Sequence, residues 1–132
     1  MGFFKRLFGI CATRPPGDPG CFSTREGRIV VDLARAPELS DRSGALRLEG
    51  SGLPERVLVF RGEDDAYHAF VNKCAHGGRR LDPLPGTSQV QCCSVGKSTY
   101  DYGGMRVSGA ASGDVRVLEV EVDGDTLVIS VT

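Results

Sequence analysis

Short apolar segments separated by turn-forming residues fill most of the chain. Val, Leu, Ile and Phe recur over residues 29–33, 45–48, 56–61, 67–71, 88–92 and 98–102 in runs of strand length, and these predict strands. Near the end, Val115, Val117, Val120 and Val122 form one alternating run and Leu127, Ile129 and Val131 the next. Asp123-Gly124-Asp125 lies between them, which predicts a hairpin. Further hairpins are expected at 62–65 and at Gly103-Gly104. No stretch keeps helical periodicity over about a dozen residues, and Pro37 limits 32–41 to a helical turn. The pattern predicts an all-β fold, an antiparallel β-sandwich or small barrel, with long loops at 73–87 and 92–98.

The first residues read differently. Phe3, Phe4, Leu7 and Phe8 stand at helical spacing beside Lys5 and Arg6, so residues 1–11 predict a turn or two of amphipathic helix. Folding back on the domain is the expected use of this segment, with a weak membrane-surface contact as the alternative. Pro15, Pro16, Gly17, Pro19, Gly20 and Gly27 mark 14–27 as an irregular connector. The expected organisation is therefore an arm and connector over 1–27 and a main domain over 28–132.

With 132 residues the chain is one domain's length and can bury roughly two thirds of its unfolded surface. Sixteen Lys and Arg against seventeen Asp and Glu give a net charge of -1, which removes the footprint of a nucleic-acid binder. Apolar runs such as 57–60 are too short to span a bilayer. No secretory pattern is found, and Arg6 occupies the position where a myristoylation motif wants Ser or Thr, so the chain reads as cytoplasmic. Five cysteines, at 11, 21, 74, 92 and 93, are an odd number at spacings unlike a secreted disulfide framework. They point to a metal or redox site.

Both long loops begin at a cysteine that follows a predicted strand: Cys74-Ala75-His76-Gly77-Gly78 and Cys92-Cys93-Ser94-Val95-Gly96. Pro83, Pro85 and Gly86 stiffen the connection between them and lower the entropy lost when the loops are held face to face. This arrangement resembles the Rieske family of [2Fe-2S] proteins, whose pattern is Cys-x-His, a connection of this length, then Cys-x-x-His-Gly and an aromatic-Asp pair. The likeness extends over Val31-Asp32-Leu33, the segment 57–61, residues 67–76, Tyr100-Asp101 and the terminal hairpin. It implies stacked antiparallel sheets with two cluster-binding loops at one tip. It also implies Cys74 and His76 as ligands, and Ser98 and Tyr100 as hydroxyls that hydrogen-bond the sulfurs.

The second loop departs from the family pattern. Its histidine falls at Val95 when counted from Cys92 and at Gly96 when counted back from Tyr100-Asp101 with Cys93 as the cysteine. Neither side chain can ligate. The expected ligand set is Cys74, His76, Cys92 and Cys93, which needs a sharp turn because adjacent side chains point opposite ways in an extended strand. Other fourth ligands are Cys11, Cys21, a solvent molecule or a residue of a partner. Three thiolates leave a net negative centre and predict a potential below the about -150 to +300 mV of His2Cys2 centres, with Lys73, Arg79, Arg80 and Lys97 offsetting part of the shift. His68, in the strand before Cys74, reads as a structural residue. The resemblance implies a small Rieske-type ferredoxin, an electron carrier and not an enzyme, serving redox partner proteins such as a reductase and a terminal acceptor. The alternative is a degenerate scaffold acting as a non-redox binding module or holding a mononuclear Zn or Fe.

Overall fold

Val57, Leu58, Val59 and Phe60 are all fully buried, which explains why this segment is apolar without alternation. In the computed structural model, which describes residue 4 and residues 10–50, 52–75, 77–109 and 113–131, the segment is a strand with a core on each face. Most of the expected amphipathic start, and His76, lie outside the described residues.

The strands are β1 (Phe22–Arg25), β2 (Arg28–Asp32), β3 (Ala45–Leu48), β4 (Val57–Arg61), β5 (Tyr67–Val71) and β6 (Leu81–Leu84). They continue with β7 (Gln89–Cys92), β8 (Thr99–Asp101), β9 (Arg106–Ser108), β10 (Val117–Asp123) and β11 (Thr126–Ser130). The fold is all-β. A seven-stranded sheet runs β1-β2-β11-β10-β5-β4-β3 and a four-stranded sheet runs β6-β7-β8-β9. Neighbours are antiparallel throughout. Among the described residues from 10 onward, the helical elements are short 3-10 turns, and Leu33–Arg35 and Pro37–Leu39 replace the expected helical turn.

Alternation along β4 and β5 sorts the interior into two cores. Val57, Val59, Ala69 and Val71 join Ile29, Val31, Leu127 and Ile129 in the core of the large sheet. Leu58, Phe60 and Phe70 face the small sheet and pack with Leu81, Val90, Tyr100, Cys74 and Cys92. Two of the cysteines singled out in the sequence thus belong to the second core.

Two strands, β1 and β6, lie where the pattern predicts none, and β9 pairs with β8 as the second arm of the hairpin expected at Gly103-Gly104. β6 occupies part of the 73–87 loop and contains Pro83, which it tolerates because β6 is an edge strand. β9 is exposed at every position and carries no hydrophobic alternation. β1 is a largely exposed edge strand paired with β2, so ordered structure begins before the expected boundary at residue 28. Cys21, in the 3-10 turn before β1, is buried in the large-sheet core.

Candidate metal centre

The first loop leaves β5 through Asn72, whose backbone N–H donates to the Arg56 carbonyl at 2.8 Å. The buried Asn72 side chain accepts from the Leu81 N–H at 2.8 Å, so one residue anchors both ends of the loop. Cys74 N–H donates to the Arg79 carbonyl at 2.7 Å and Gly78 N–H to the Cys74 carbonyl at 3.1 Å, closing a tight turn. Gly77 and Gly78 sit at φ of 81° and 68°, a region that glycine enters without a steric cost. The Arg56 guanidinium clamps the turn from outside by donating to the carbonyls of Asn72 and Gly78.

The second loop begins opposite the exit of the first, with Cys92 in register with Leu81. Cys92 N–H donates to the Ser98 carbonyl at 2.7 Å, Cys93 N–H to the Arg80 carbonyl at 3.0 Å and Lys97 N–H to the Ser94 carbonyl at 3.2 Å. Gly109 lies against this base so closely that an added Cβ would stand 2.3 Å from Ser98 Cα. The loops are therefore held together by main-chain hydrogen bonds as well as by β6–β7 pairing.

Cys92 and Cys93 point in opposite directions. Cys92 turns inward, fully buried, to the core that holds Cys74 and Tyr100. Cys93 forms a disulfide with Cys11, with their Cα atoms 5.3 Å apart. In this structure the Cys93 sulfur is bonded to the Cys11 sulfur and faces away from Cys92, as strand alternation requires, so it is not presented beside Cys92. Cys11 is used in the same bond and Cys21 is buried in the other core, so neither is a replacement. With Cys92 as the inward cysteine, the position of the absent histidine is Val95, which is 51% exposed at the loop tip.

Cys74 and Cys92 lie within hydrogen-bonding reach of each other. Tyr100 Oη accepts from the Ala75 N–H at 3.1 Å, which leaves its own proton to donate to Cys74 Sγ at 3.3 Å. Burial, reinforced by the Cys74 thiol, pushes the Tyr100 phenol up to about 12, so the hydroxyl keeps its proton at neutral pH. Ser94 Oγ stands 3.1 Å from Cys92 Sγ. Burial raises the Cys92 thiol above its usual value, and the Ser94 side chain and backbone act against that shift. Two buried sulfurs that face each other, each beside a hydroxyl, fit the thiolate-ligated iron of an iron-sulfur cluster. Ser94 stands beside a sulfur, and sequence reasoning passed over it although it lies two residues after Cys92. Ser98 is buried and contributes its carbonyl to the base of the loop.

The charges around the loops are partly matched. Arg80 makes a two-pronged pair with Glu49, with both N···O distances 2.7 Å, so the expected electropositive contribution of Arg80 is offset. His68 hydrogen-bonds Asp64 and packs beside Phe60 and Tyr102, which accounts for it structurally.

A family model described as the Rieske [2Fe-2S] domain matches residues 30–119. No curated protein matches the chain. Among solved structures, the ferredoxin of carbazole 1,9a-dioxygenase from Nocardioides aromaticivorans aligns with a TM-score of 0.62 at 19% identity, covering 78% of this chain and 95% of that one. The quaternary ammonium Rieske monooxygenase CntA aligns with a TM-score of 0.57 at 19% identity, covering 73% of this chain but 30% of that one. The plasma membrane Rieske protein PetC3 from the cyanobacterium Synechocystis aligns with a TM-score of 0.54 at 18% identity, covering 65% and 85%. Among the described residues, no helix is long and apolar enough to cross a membrane.

Proposed function

Because the chain belongs to the Rieske [2Fe-2S] domain family, we propose that it is a one-electron carrier that exchanges electrons with protein partners and does not itself transform a substrate. The observation that carries this reading is the pair of buried thiols, Cys74 and Cys92, with the Tyr100 hydroxyl on one sulfur and the Ser94 hydroxyl beside the other.

On this reading Cys74, Cys92 and His76 would hold the cluster. The fourth position, left by Val95, is taken by solvent or by a residue of a partner. When bound, the cluster supplies a one-electron couple. The protein's contribution is to fix and tune it. Arg56 and Asn72 set the shape of the first loop, and the Cys93 and Cys92 N–H groups lock the second to its neighbours. Tyr100 stabilises negative charge on the Cys74 sulfur, which favours the reduced state. Partners are a reductase on one side and a terminal acceptor on the other, meeting the loop tip where Val95 is exposed. The cytoplasm is the proposed location.

Anaerobically purified protein tests the reading. Two irons and two sulfides per chain, with a rhombic EPR signal on reduction, are expected; a colourless protein carrying only zinc contradicts it.

A further inference from the structure

The disulfide ties the segment before the first strand to the second loop, and other contacts lie beside it. Ala12 N–H donates to Asp82 Oδ2 at 2.7 Å and Thr13 N–H to Asp82 Oδ1 at 3.0 Å, so the buried β6 carboxylate receives two successive amides of the arm. Arg14 then accepts from the Arg47 N–H at 3.1 Å, carrying the arm onto β3. Ala12, Asp82, Gln91, Cys92 and Cys93 line a cavity of about 150 Å³ between the arm and the sheet. Residues 11–14 are thus a strap across the outer face of the strand that ends in Cys92.

We propose that Cys11–Cys93 is a thiol-disulfide exchange site whose reduction by a dithiol releases this strap. Accessibility sets the order of events: Cys11 is half-buried, whereas Cys93 is 1% exposed. An incoming thiolate attacks Cys11 Sγ and forms a mixed disulfide, while Cys93 leaves as a thiolate and takes a proton from solvent. The second thiol of the dithiol then attacks the mixed bond and frees Cys11. The protein disulfide gains two electrons and two protons, and the dithiol becomes a disulfide. Among the described residues, three hydrogen bonds then hold residues 12–14, and a short segment held this way opens locally. The strap opens by exchange with a dithiol and closes by the reverse exchange with a disulfide, which takes up the two electrons and two protons. None of this depends on the metal reading, because Cys93 and Asp82 lie outside the core that holds Cys74 and Cys92.

The test uses the full chain, oxidised or treated with dithiothreitol without denaturant. Peptide mapping of the oxidised protein is expected to find residues 11 and 93 cross-linked, and native dithiothreitol to make both alkylatable. Amide exchange at Ala12 and Thr13 is expected to rise by about tenfold or more on reduction, with β10 and β11 unchanged. Cys11→Ser is expected to show the fast exchange without reductant. Absence of the cross-link, reduction only after denaturation, or unchanged exchange at Ala12 and Thr13 after native reduction would each overturn the proposal. If Cys11→Ser does not fold, the wild-type measurement decides alone.

Discussion

The two loops that meet at the candidate centre start alike and diverge within two residues. Each opens with a cysteine buried in the core between the sheets, Cys74 in one and Cys92 in the other. In the first, the ligand-type residue follows two positions on, and Gly77 and Gly78 fold the chain tightly behind it. In the second, the next cysteine points outward into a disulfide and the tip carries Val95. The contrast teaches that two adjacent donors need not serve one site. Backbone direction decides which face a side chain serves, and alternation in β7 sends Cys92 and Cys93 to opposite sides.

The largest effect is expected from removing the support that both loops share. Phe60 packs against Phe70 and Tyr102 in the core beneath the site, with ring centroids 5.8 and 5.3 Å away. Phe60→Ala should cost about 3–5 kcal/mol of stability, read by chemical denaturation, because the cavity left cannot collapse between two sheets. A cost below about 1 kcal/mol would show that the second core does not hold the loops. Val95→His should make the second loop resemble the first. It is expected to bring the potential into the about -150 to +300 mV span of His2Cys2 centres, with two nitrogen couplings by pulsed EPR. A single unchanged nitrogen coupling would place the absent ligand elsewhere.

Tyr100→Phe should be smaller and confined to the first loop's sulfur. Losing one hydrogen bond to Cys74 costs about 1–1.5 kcal/mol, on the order of 50 mV for one electron, and the potential should fall while the fold persists. The smallest effect concerns the Glu49–Arg80 pair at the exit of the first loop. The hydrogen bond from Arg80 holds the Glu49 carboxyl below its usual value. Its stabilisation is therefore fully present above the ordinary glutamate range and is lost as pH falls through the depressed folded value. Both side chains are about a third exposed, so the contribution is at most about 1 kcal/mol. Denaturation across acid pH should show that component in the wild type and not in Glu49→Gln.

The parts of the fold visible in the sequence are those with strong hydrophobic patterning. β3 and β5 fall on the expected residues, and the terminal hairpin falls where alternating Val, Leu and Ile flank Asp123-Gly124-Asp125. β1 and β6 escaped because sheet edges impose little pattern, and Pro83 reads as a breaker unless its edge position is known; β9, exposed throughout, was marked only by the turn at Gly103-Gly104. At the site, Cys74 and Cys92 stood out because each follows a predicted strand and Tyr100 through the family resemblance, and the structure brings the three into one core. The Cys11–Cys93 bond was not, since it joins residues 82 positions apart through an irregular arm. Ser94 was also missed, as a serine in a loop carries no signal of the sulfur it will face. Alternation after β7 was the available clue against Cys93.

Iron and acid-labile sulfide content of Cys92→Ser beside Cys93→Ser, both purified anaerobically, addresses the centre most directly. The inward Cys92 should be indispensable, so Cys92→Ser should lose the cluster while Cys93→Ser keeps it at near wild-type content. Loss in Cys93→Ser with retention in Cys92→Ser would contradict the assignment of the two sulfurs.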